Sequence, residues 1–294
     1  MRRVNASWPL GALLVGVLCA HGLWAADDVQ KQLNTDYQNK IVTLRQPHSR
    51  EKLRFGPDGK LIGEAKAGPW TVDGLVEVKS VTFSDHVVKI EGRRVWLFFD
   101  PFTRQFRDIA SVRDGEKAAS LFKTFRRQQL WKQVTEQPVE IEVELASESP
   151  DYKEISLATE AIFLNSSESM LGVLPSFWRS YFAGRNSELE PEANFHDDLY
   201  RAHQDGVSAP TRLLAPDPQY SEAARRAGFE GRVEMSLIVD KDGNPRSIQV
   251  VEPAGLGLDE ESVNAVQQWK FQPGQKQARP VNVQLGVETT FCLY

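Results

Sequence analysis

The sequence predicts an α+β protein, in which a β-rich N-terminal domain with flanking helices precedes a C-terminal domain of two helices on a three-stranded antiparallel sheet. Apolar and polar residues alternate over 233–239 and again over 281–291, which is the pattern of half-buried strands. Short apolar runs separated by glycine-containing turns recur from 41 to 99, as in a small antiparallel sheet or partial barrel.

The N-terminal domain is expected over 27–150. Val29, Leu33 and Tyr37 recur every four residues and predict an opening helix with a buried stripe. The other predicted elements are a hairpin turn at Pro57-Asp58-Gly59, strands at 75–78, 87–90, 95–99 and 139–145, and a helix over 116–133. Glutamates alternate with apolar residues in 139–145, which predicts a solvated acidic face or, as the alternative, a groove for a cation or a basic peptide.

A helical segment is expected over 151–184, as two helices broken at Asn165-Ser166-Ser167. Its cluster of apolar residues predicts core packing, with docking on a partner or a membrane as the weaker alternative. The stretch 185–214 is polar and contains scattered prolines, so we predict a linker there, leading to the C-terminal domain at 215–294.

Local signals place the elements of the C-terminal domain. Ser221 predicts the N-cap of a first helix, and Gly228 predicts the left-handed residue that ends it. Asp242-Gly243 predicts a tight turn that returns the strand 233–239 antiparallel to the next one. Asp259 is expected to cap a second helix, after which 281–291 forms the third strand.

Six motifs in fixed order carry a resemblance to a known family. They are Tyr220-Ser221-Glu222, Gly228-Phe229-Glu230-Gly231, Asp240-Lys241-Asp242-Gly243-Asn244, Leu258-Asp259, Trp269-Lys270-Phe271-Gln272-Pro273 and Pro280-Val281. Over about 215–291 they resemble the C-terminal domain of TonB-family energy transducers, periplasmic proteins that touch outer-membrane receptors. Ser221 stands where the family usually has proline.

The resemblance implies an interaction in which a short segment of a receptor pairs with the last strand, close to the region before the first helix. The residues that match those positions are Pro218, Gln219, Tyr220, Val281, Asn282, Val283, Gln284, Leu285, Gly286 and Val287. Physically, the edge of a sheet presents unpaired N–H and C=O groups to which a peptide can add a strand. The alternatives are that 281–287 is only a terminal core strand and that Tyr220 is a packed side chain beside the helix start.

The leading hypothesis is a non-enzymatic, exported protein that binds an outer-membrane receptor or envelope protein by strand addition in support of transport. The alternative is an envelope structural or assembly module whose C-terminal domain docks on its own N-terminal domain, and a homodimer is also compatible with the sequence. We expect no cofactor. The chain has 40 acidic and 35 basic residues, and this acidic excess argues against a surface that binds nucleic acid.

The N-terminal residues indicate in which compartment the protein resides. Arg2 and Arg3 precede a run from 8 to 24 that is apolar except for His21. Ala25 followed by Ala26-Asp27-Asp28 resembles a processing site, so 1–25 is expected to be a secretory signal. The alternative is an uncleaved inner-membrane anchor, since 8–26 approaches the length of a spanning helix. The chain has no proline-rich spacer of the kind that TonB-type transducers use.

Catalytic and metal chemistry find little support in the sequence. His196-Asp197-Asp198 with His203 has metal-ligand residue types, but it falls in the predicted linker, and no metal site is assigned. No phosphate-binding glycine loop or serine-nucleophile motif is present, so no catalytic residue is assigned.

Overall fold

The computed structural model describes residues 18–165, 168, 170–183 and 199–293, and within them the protein is α+β. The α-helices are α1 (Leu18–Tyr37), α2 (Trp70–Asp73), α3 (Gln128–Thr135), α4 (Tyr152–Glu160), α5 (Arg179–Ala183), α6 (Glu222–Ala227) and α7 (Leu258–Val266). The strands of the N-terminal part are β1 (Ile41–Thr43), β2 (Lys52–Phe55), β3 (Leu75–Ser84), β4 (Val87–Arg94), β5 (Leu97–Asp100), β6 (Gln105–Asp108) and β7 (Gln137–Glu144). The remaining strands are β8 (Leu199–Arg201), β9 (Thr211–Leu214), β10 (Gly231–Val239), β11 (Pro245–Glu252), β12 (Lys270–Gln272), β13 (Gln275–Lys276), β14 (Arg279–Pro280) and β15 (Asn282–Phe291).

The N-terminal part contains a five-stranded sheet in the order β1-β3-β4-β7-β2, with α1 and α4 packed against it. The predicted stripe of α1 faces this sheet: Leu33 is fully buried, and Val29 and Tyr37 are partly buried. Gln30 on the same helix accepts a hydrogen bond from the Phe83 amide and donates one to the Val81 carbonyl, so α1 is tied to the backbone of β3.

The acidic face of β7 is paired with basic side chains rather than free. The ion pairs join Glu140, Glu142 and Glu144 to Lys52, Arg54 and Lys89. Hydrogen bonds from Lys52 and Lys89 lower the pKa of Glu140 to about 2. The face is therefore a partly solvated charge network across three neighbouring strands, which leaves little excess negative charge to attract a cation or a basic peptide.

The prediction of one helix over 116–133 is wrong. The structure instead has a 3-10 turn at Lys117–Leu121 and the separate helix α3, and between them lie the bridge residue Phe122 and a turn over 123–126. The physical reason is a tertiary pairing: Phe122 forms a β-bridge with Phe229, and the Lys123 amide donates to the Gly228 carbonyl at 2.8 Å. The backbone of this stretch cannot satisfy both those partners and an α-helix.

A second core is shared by the N-terminal and C-terminal parts. It collects Phe98 and Phe122 from the former and Phe229, Leu256 and Leu258 from the latter. Backbone hydrogen bonds cross the same boundary: the Phe99 amide donates to the Ala254 carbonyl, and the Leu256 amide donates to the Leu97 carbonyl, each at 2.7 Å. The C-terminal part is thus docked on the N-terminal part by a continuous apolar cluster and by main-chain bonds.

The segment 151–183 is divided between the two cores: α4 packs on the five-stranded sheet, and the described residues from 174 onward pack on the shared core. The first of its two predicted helices is α4, and the remainder forms 3-10 turns and the short α5. Trp178 is fully buried, and its ring contacts Trp70 at 6.0 Å and Phe106 at 6.0 Å between centroids. Core packing, rather than an exposed docking surface, therefore accounts for Trp178.

The stretch expected to be a linker contains two strands that pair with the C-terminal domain. β8 lies parallel to β15, and β9 lies antiparallel to β12. Residues 185–198, with His196-Asp197-Asp198, lie outside the described residues, as does most of the expected signal at 1–25. Among the described helices, none is sufficiently long and apolar to cross a membrane.

Candidate functional site

The candidate site is the edge of the C-terminal sheet, whose strand order is β11-β10-β15-β8. The expected three-stranded antiparallel arrangement is present in β11-β10-β15, and β8 adds a fourth, parallel strand that the sequence analysis did not predict. Its three residues carry no periodic pattern, so sequence reasoning had no signal for it.

The turn between β10 and β11 fixes the register of the sheet. Gly243 has φ of +80°, and a Cβ placed there would lie 1.9 Å from the Phe271 carbonyl oxygen, so only glycine fits. Asp240 accepts hydrogen bonds from the amides of Asp242 and Asn244 at 3.0 and 2.7 Å. Burial acts to raise the pKa of Asp240, but these amides and Arg246 outweigh it and lower the pKa. The predicted hairpin is confirmed.

Helix α6 is bounded by the two predicted caps. Ser221 Oγ accepts from the Ala224 amide at 3.1 Å, and Gly228 adopts the left-handed conformation with φ of +61°. The Ser221 hydroxyl also donates to the Leu256 carbonyl, which links the start of α6 to the loop before α7. These contacts hold the chain segment that precedes α6 against the sheet.

The prediction that Asp259 caps the second helix is wrong. The N-cap of α7 is Gly257, and Asp259 lies inside the first turn, fully buried. Its two carboxylate oxygens accept hydrogen bonds from the amides of Ala254 and Gly255, each at 2.8 Å. Asp259 therefore fixes the loop that contacts β5, a non-local role that no spacing rule indicates.

Strand β15 pairs with β10 along its whole inner side, from Gly231 opposite Phe291 to Val239 opposite Val283. Its outer side is divided. Leu199–Arg201 of β8 pair with Asn282, Val283 and Gln284.

Beyond Gln284, residues 285–291 have no strand on their outer side among the residues that the structure describes. The Val281 amide, just before the strand, donates to the Gly274 carbonyl at 3.0 Å. The expected free edge over 281–287 is thus corrected over its first half, because the chain's own backbone already pairs there.

The unpaired half of the edge is amphipathic. Leu285 and Val287 lie on the core face but are only half-buried, whereas Thr289 and Phe291 on the same face are buried. Gly286, Glu288 and Thr290 point to the opposite, exposed face. A strand added beside Leu285 and Val287 would complete the burial of these two side chains.

The opposite face of this half carries charge of both signs. Arg232 forms ion pairs with Glu234 at 3.3 Å and with Glu288 at 3.7 Å. All three side chains are well exposed, so each pair contributes little to stability.

Pro218, Gln219 and Tyr220 lie at the far end of β15 from Val283. The Tyr220 ring packs edge-on against Phe291 at 5.4 Å, and its hydroxyl donates to the Phe229 carbonyl. Burial raises the pKa of Tyr220 to about 12. The packed-side-chain interpretation fits Tyr220, whereas Gln219 is exposed and Pro218 half-buried. Eight residues at about 3.3 Å each separate Phe291 from Val283, roughly 26 Å.

Known proteins resemble the C-terminal part of this chain. The family model described as Gram-negative bacterial TonB protein C-terminal matches residues 216–293. Protein tonB2 of Pseudomonas aeruginosa is 39% identical over 65 residues, 22% of this chain and 24% of that protein. Protein TonB of Vibrio cholerae serotype O1 is 32% identical over 77 residues, 26% of this chain and 32% of that protein.

The chain therefore spans between 24% and 32% of the length of these curated relatives. The solution NMR structure of the Pseudomonas aeruginosa TonB CTD aligns at 25% identity over 32% of this chain and 93% of that one, with a TM-score of 0.26.

Proposed function

Because the chain carries a TonB C-terminal domain at residues 216–293, we propose that it is a non-enzymatic, exported cell-envelope protein that binds an extended segment of an outer-membrane receptor or another envelope partner by strand addition. The binding would support transport across the outer membrane. The observation that carries the proposal is the outer side of residues 285–291, which no strand among the described residues pairs, on a strand that is paired without a break to β10 on its inner side.

The edge offers both kinds of contact that strand addition needs. About half of the N–H and C=O groups along 285–291 point away from β10 in an antiparallel ladder, so a guest strand can satisfy them. Leu285 and Val287 offer half-buried apolar surface beside it. A guest strand along the whole of 285–291 would form about seven new main-chain bonds at roughly 1 kcal/mol each. The loss of translational, rotational and conformational freedom on binding offsets most of this gain, so side-chain contacts must supply much of the affinity.

The docking of the two parts of the chain leaves this edge open. The shared core covers the inner face of the sheet through Phe98, Phe122 and Phe229, whereas a guest strand would approach from the outer side of β15. The competing occupant is β8, which covers Asn282–Gln284. We therefore place the first contact of the partner at Leu285, Gly286 and Val287, and include Val281–Gln284 only after displacement of β8.

Export is proposed from the N-terminal pattern. Helix α1 runs across the expected cleavage site after Ala25, and its buried Leu33 and its Gln30 contacts with β3 lie beyond that site. Removal of residues 1–25 therefore leaves the packing of the helix on the sheet in place. N-terminal sequencing of the protein recovered from the periplasmic and inner-membrane fractions tests this, and an intact N-terminus in the inner membrane would establish an anchor instead.

Strand addition is tested by titrating the full processed chain with synthetic peptides that copy the periplasm-facing N-terminal segments of the host's outer-membrane receptors. Successive N–H groups in a strand point to opposite sides of it. One of the variants Gly286→Pro and Val287→Pro therefore removes an N–H group that faces the guest strand, and the other removes an N–H group that bonds to β10. The variant that retains the native circular dichroism spectrum is expected to lose at least about tenfold in affinity.

The matched control is Val251→Pro. Val251 lies on β11, at the opposite side of the sheet, where a register shift leaves it without a paired residue on β10. Its variant should bind peptide as the unmodified protein does. Unchanged peptide affinity in a folded Gly286→Pro or Val287→Pro variant contradicts the proposal, and sedimentation without peptide shows whether a second copy of the chain uses the same edge.

A further inference from the structure

The unpaired edge of β15 ends at an apolar groove of about 370 Å³ that both parts of the chain build. Buried Phe229, Ala254 and Phe291 from the C-terminal part form its floor together with Phe99 from β5. Exposed Pro101 forms part of the rim. A cavity of this size accepts one or two large side chains but not a whole peptide.

The groove is held open by backbone contacts on both sides. The Phe99 amide donates to the Ala254 carbonyl at 2.7 Å, and the Glu230 amide donates to the Leu121 carbonyl at 3.1 Å. Glu230 in turn accepts from the Leu293 amide at 2.6 Å, which fixes the chain just after β15. The walls therefore exist before any ligand arrives, and little ordering cost opposes occupation.

The charges at the rim are already satisfied. Glu230 pairs with Lys123 at 2.8 Å, and Glu252 pairs with Arg104 at 3.1 Å. Arg232 pairs with Glu288 across the exposed face of the sheet. A charged side chain entering the groove would lose its hydration without gaining an ion-pair partner. An apolar side chain would instead pack against aromatic rings and methyl groups.

The groove is continuous with the proposed binding edge, since Thr290 and Phe291 at the end of β15, and Cys292 directly after it, line the groove. We propose that this groove is the specificity pocket of the strand-addition site and takes an uncharged, bulky apolar side chain located just outside the paired segment of the guest peptide. This inference rests on the proposed function. It makes the N-terminal part of the chain a direct contributor to partner recognition.

The test uses the tightest-binding peptide of the receptor panel, extended at either end by Leu-Leu, Ala-Ala or Lys-Lys. The Leu-Leu extension at one end is expected to raise affinity at least about tenfold over Ala-Ala, and Lys-Lys is expected to bring no gain. Because 291 is the last residue of β15, the end at which leucine acts also reports the direction of the guest strand.

Two further readouts separate the groove from the edge. Cys292 is a free, exposed cysteine in the groove lining, so occupation should slow its reaction with a maleimide. Pro101→Trp fills the rim from the N-terminal side and should cancel the leucine gain while leaving the unextended peptide's affinity within about twofold. Thr103→Trp, on an exposed neighbour of the same turn outside the groove, should preserve the gain.

The outcomes distinguish this inference from the proposed function. If the unextended peptide binds but leucine and alanine extensions bind equally at both ends, or Cys292 reacts at the same rate in the complex, the groove proposal fails and the edge remains. If no receptor peptide binds at all, the strand-addition proposal fails and the groove proposal fails with it.

Discussion

Tyr200 lies opposite Val283 in the parallel pairing of β8 with β15, so a segment that precedes the C-terminal domain in sequence covers the first part of its open edge. The Lys276 ammonium sits 4.3 Å from the centre of the Tyr200 ring, and the Ser208 amide donates to the Gln275 carbonyl at 2.9 Å. The segment is thus held at several points. A guest strand that uses the whole of β15 has to displace it.

The first prediction concerns this competition. Tyr200→Pro should free the outer side of Asn282–Gln284, because proline disfavours a strand pairing and removes a donor. Receptor-peptide affinity is expected to rise by roughly three- to tenfold, the equivalent of about 1 kcal/mol for a three-residue contact. Titration calorimetry measures the affinity, and hydrogen exchange of the Asn282–Gln284 amides measures the exposure.

Tyr200→Phe is the matched control, because it keeps the strand and the ring beneath Lys276. Its affinity should equal that of the unmodified protein. Unchanged hydrogen exchange at Asn282–Gln284 in Tyr200→Pro would show that β8 does not protect the edge.

A second prediction concerns the joint between the two parts of the chain. Phe229 is 1% exposed and contacts the rings of Phe98 and Phe122 at 6.0 and 5.1 Å. Phe229→Ala should lower the free energy of unfolding by about 3–5 kcal/mol, because it leaves a cavity between the two parts. Urea denaturation measures the change, and the largely exposed Leu213→Ala should stay within about 0.5 kcal/mol of the unmodified protein. A loss below about 1 kcal/mol for Phe229→Ala would show that the joint is not tightly packed.

The third prediction separates backbone conformation from steric overlap. Gly243 and Gly115 both have φ near +80°, but only Gly243 has an atom close to the position of a Cβ. Gly115→Ala should cost about 1 kcal/mol, the conformational penalty alone. Gly243→Ala should cost more, because the Cβ would overlap the Phe271 carbonyl oxygen. Thermal unfolding of the two variants side by side measures the difference, and equal costs would mean that the hairpin shifts freely away from Phe271.

The fourth prediction concerns pH. Glu260 lies at the start of α7, where its Oε1 accepts from the Trp178 indole at 3.4 Å and its buried Oε2 has no hydrogen-bond partner among the described residues. Burial, followed by the charge of Asp259, raises the pKa of Glu260. The folded state therefore holds the proton longer than the unfolded chain, whose glutamate pKa is about 4.3.

Stability from the neutral carboxyl is fully present below that unfolded-state pKa and is lost as the pH rises through the raised folded-state pKa. Glu260→Gln, which stays neutral, should gain stability relative to the unmodified protein as the pH rises from 5 to 9. Glu261→Gln, one residue further along the helix, is the control and should follow the unmodified protein. Parallel pH profiles for Glu260→Gln and the unmodified protein would contradict the prediction.

Some elements were predictable because their signals are local. Ser221 and Gly228 bound α6, and Asp242-Gly243 forms the turn between β10 and β11, since caps and tight turns depend on the residues at those positions. The alternation of β15 likewise gave its extent and its two faces, because side chains along a strand point alternately to opposite sides.

Other features depended on partners distant in sequence. The β-bridge between Phe122 and Phe229 interrupts the helix expected over 116–133. The Asp259 carboxylate accepts a hydrogen bond from the Ala254 amide in the preceding loop and does not cap its own helix. A three-residue strand such as β8 has too few residues to show a period, so only its pairing reveals it.

By itself, the sequence determined the resemblance of the C-terminal part to the TonB C-terminal domain, the order of its two helices and of the strands β10, β11 and β15, and the presence of a strand with one apolar and one polar face. The tertiary structure alone decided which part of that strand stays open, which segment of the chain covers the rest, and how the N-terminal part completes a groove at its end. The reason is physical: caps, turns and alternation are set by neighbouring residues, whereas the occupation of a sheet edge is a competition among backbone segments far apart in sequence.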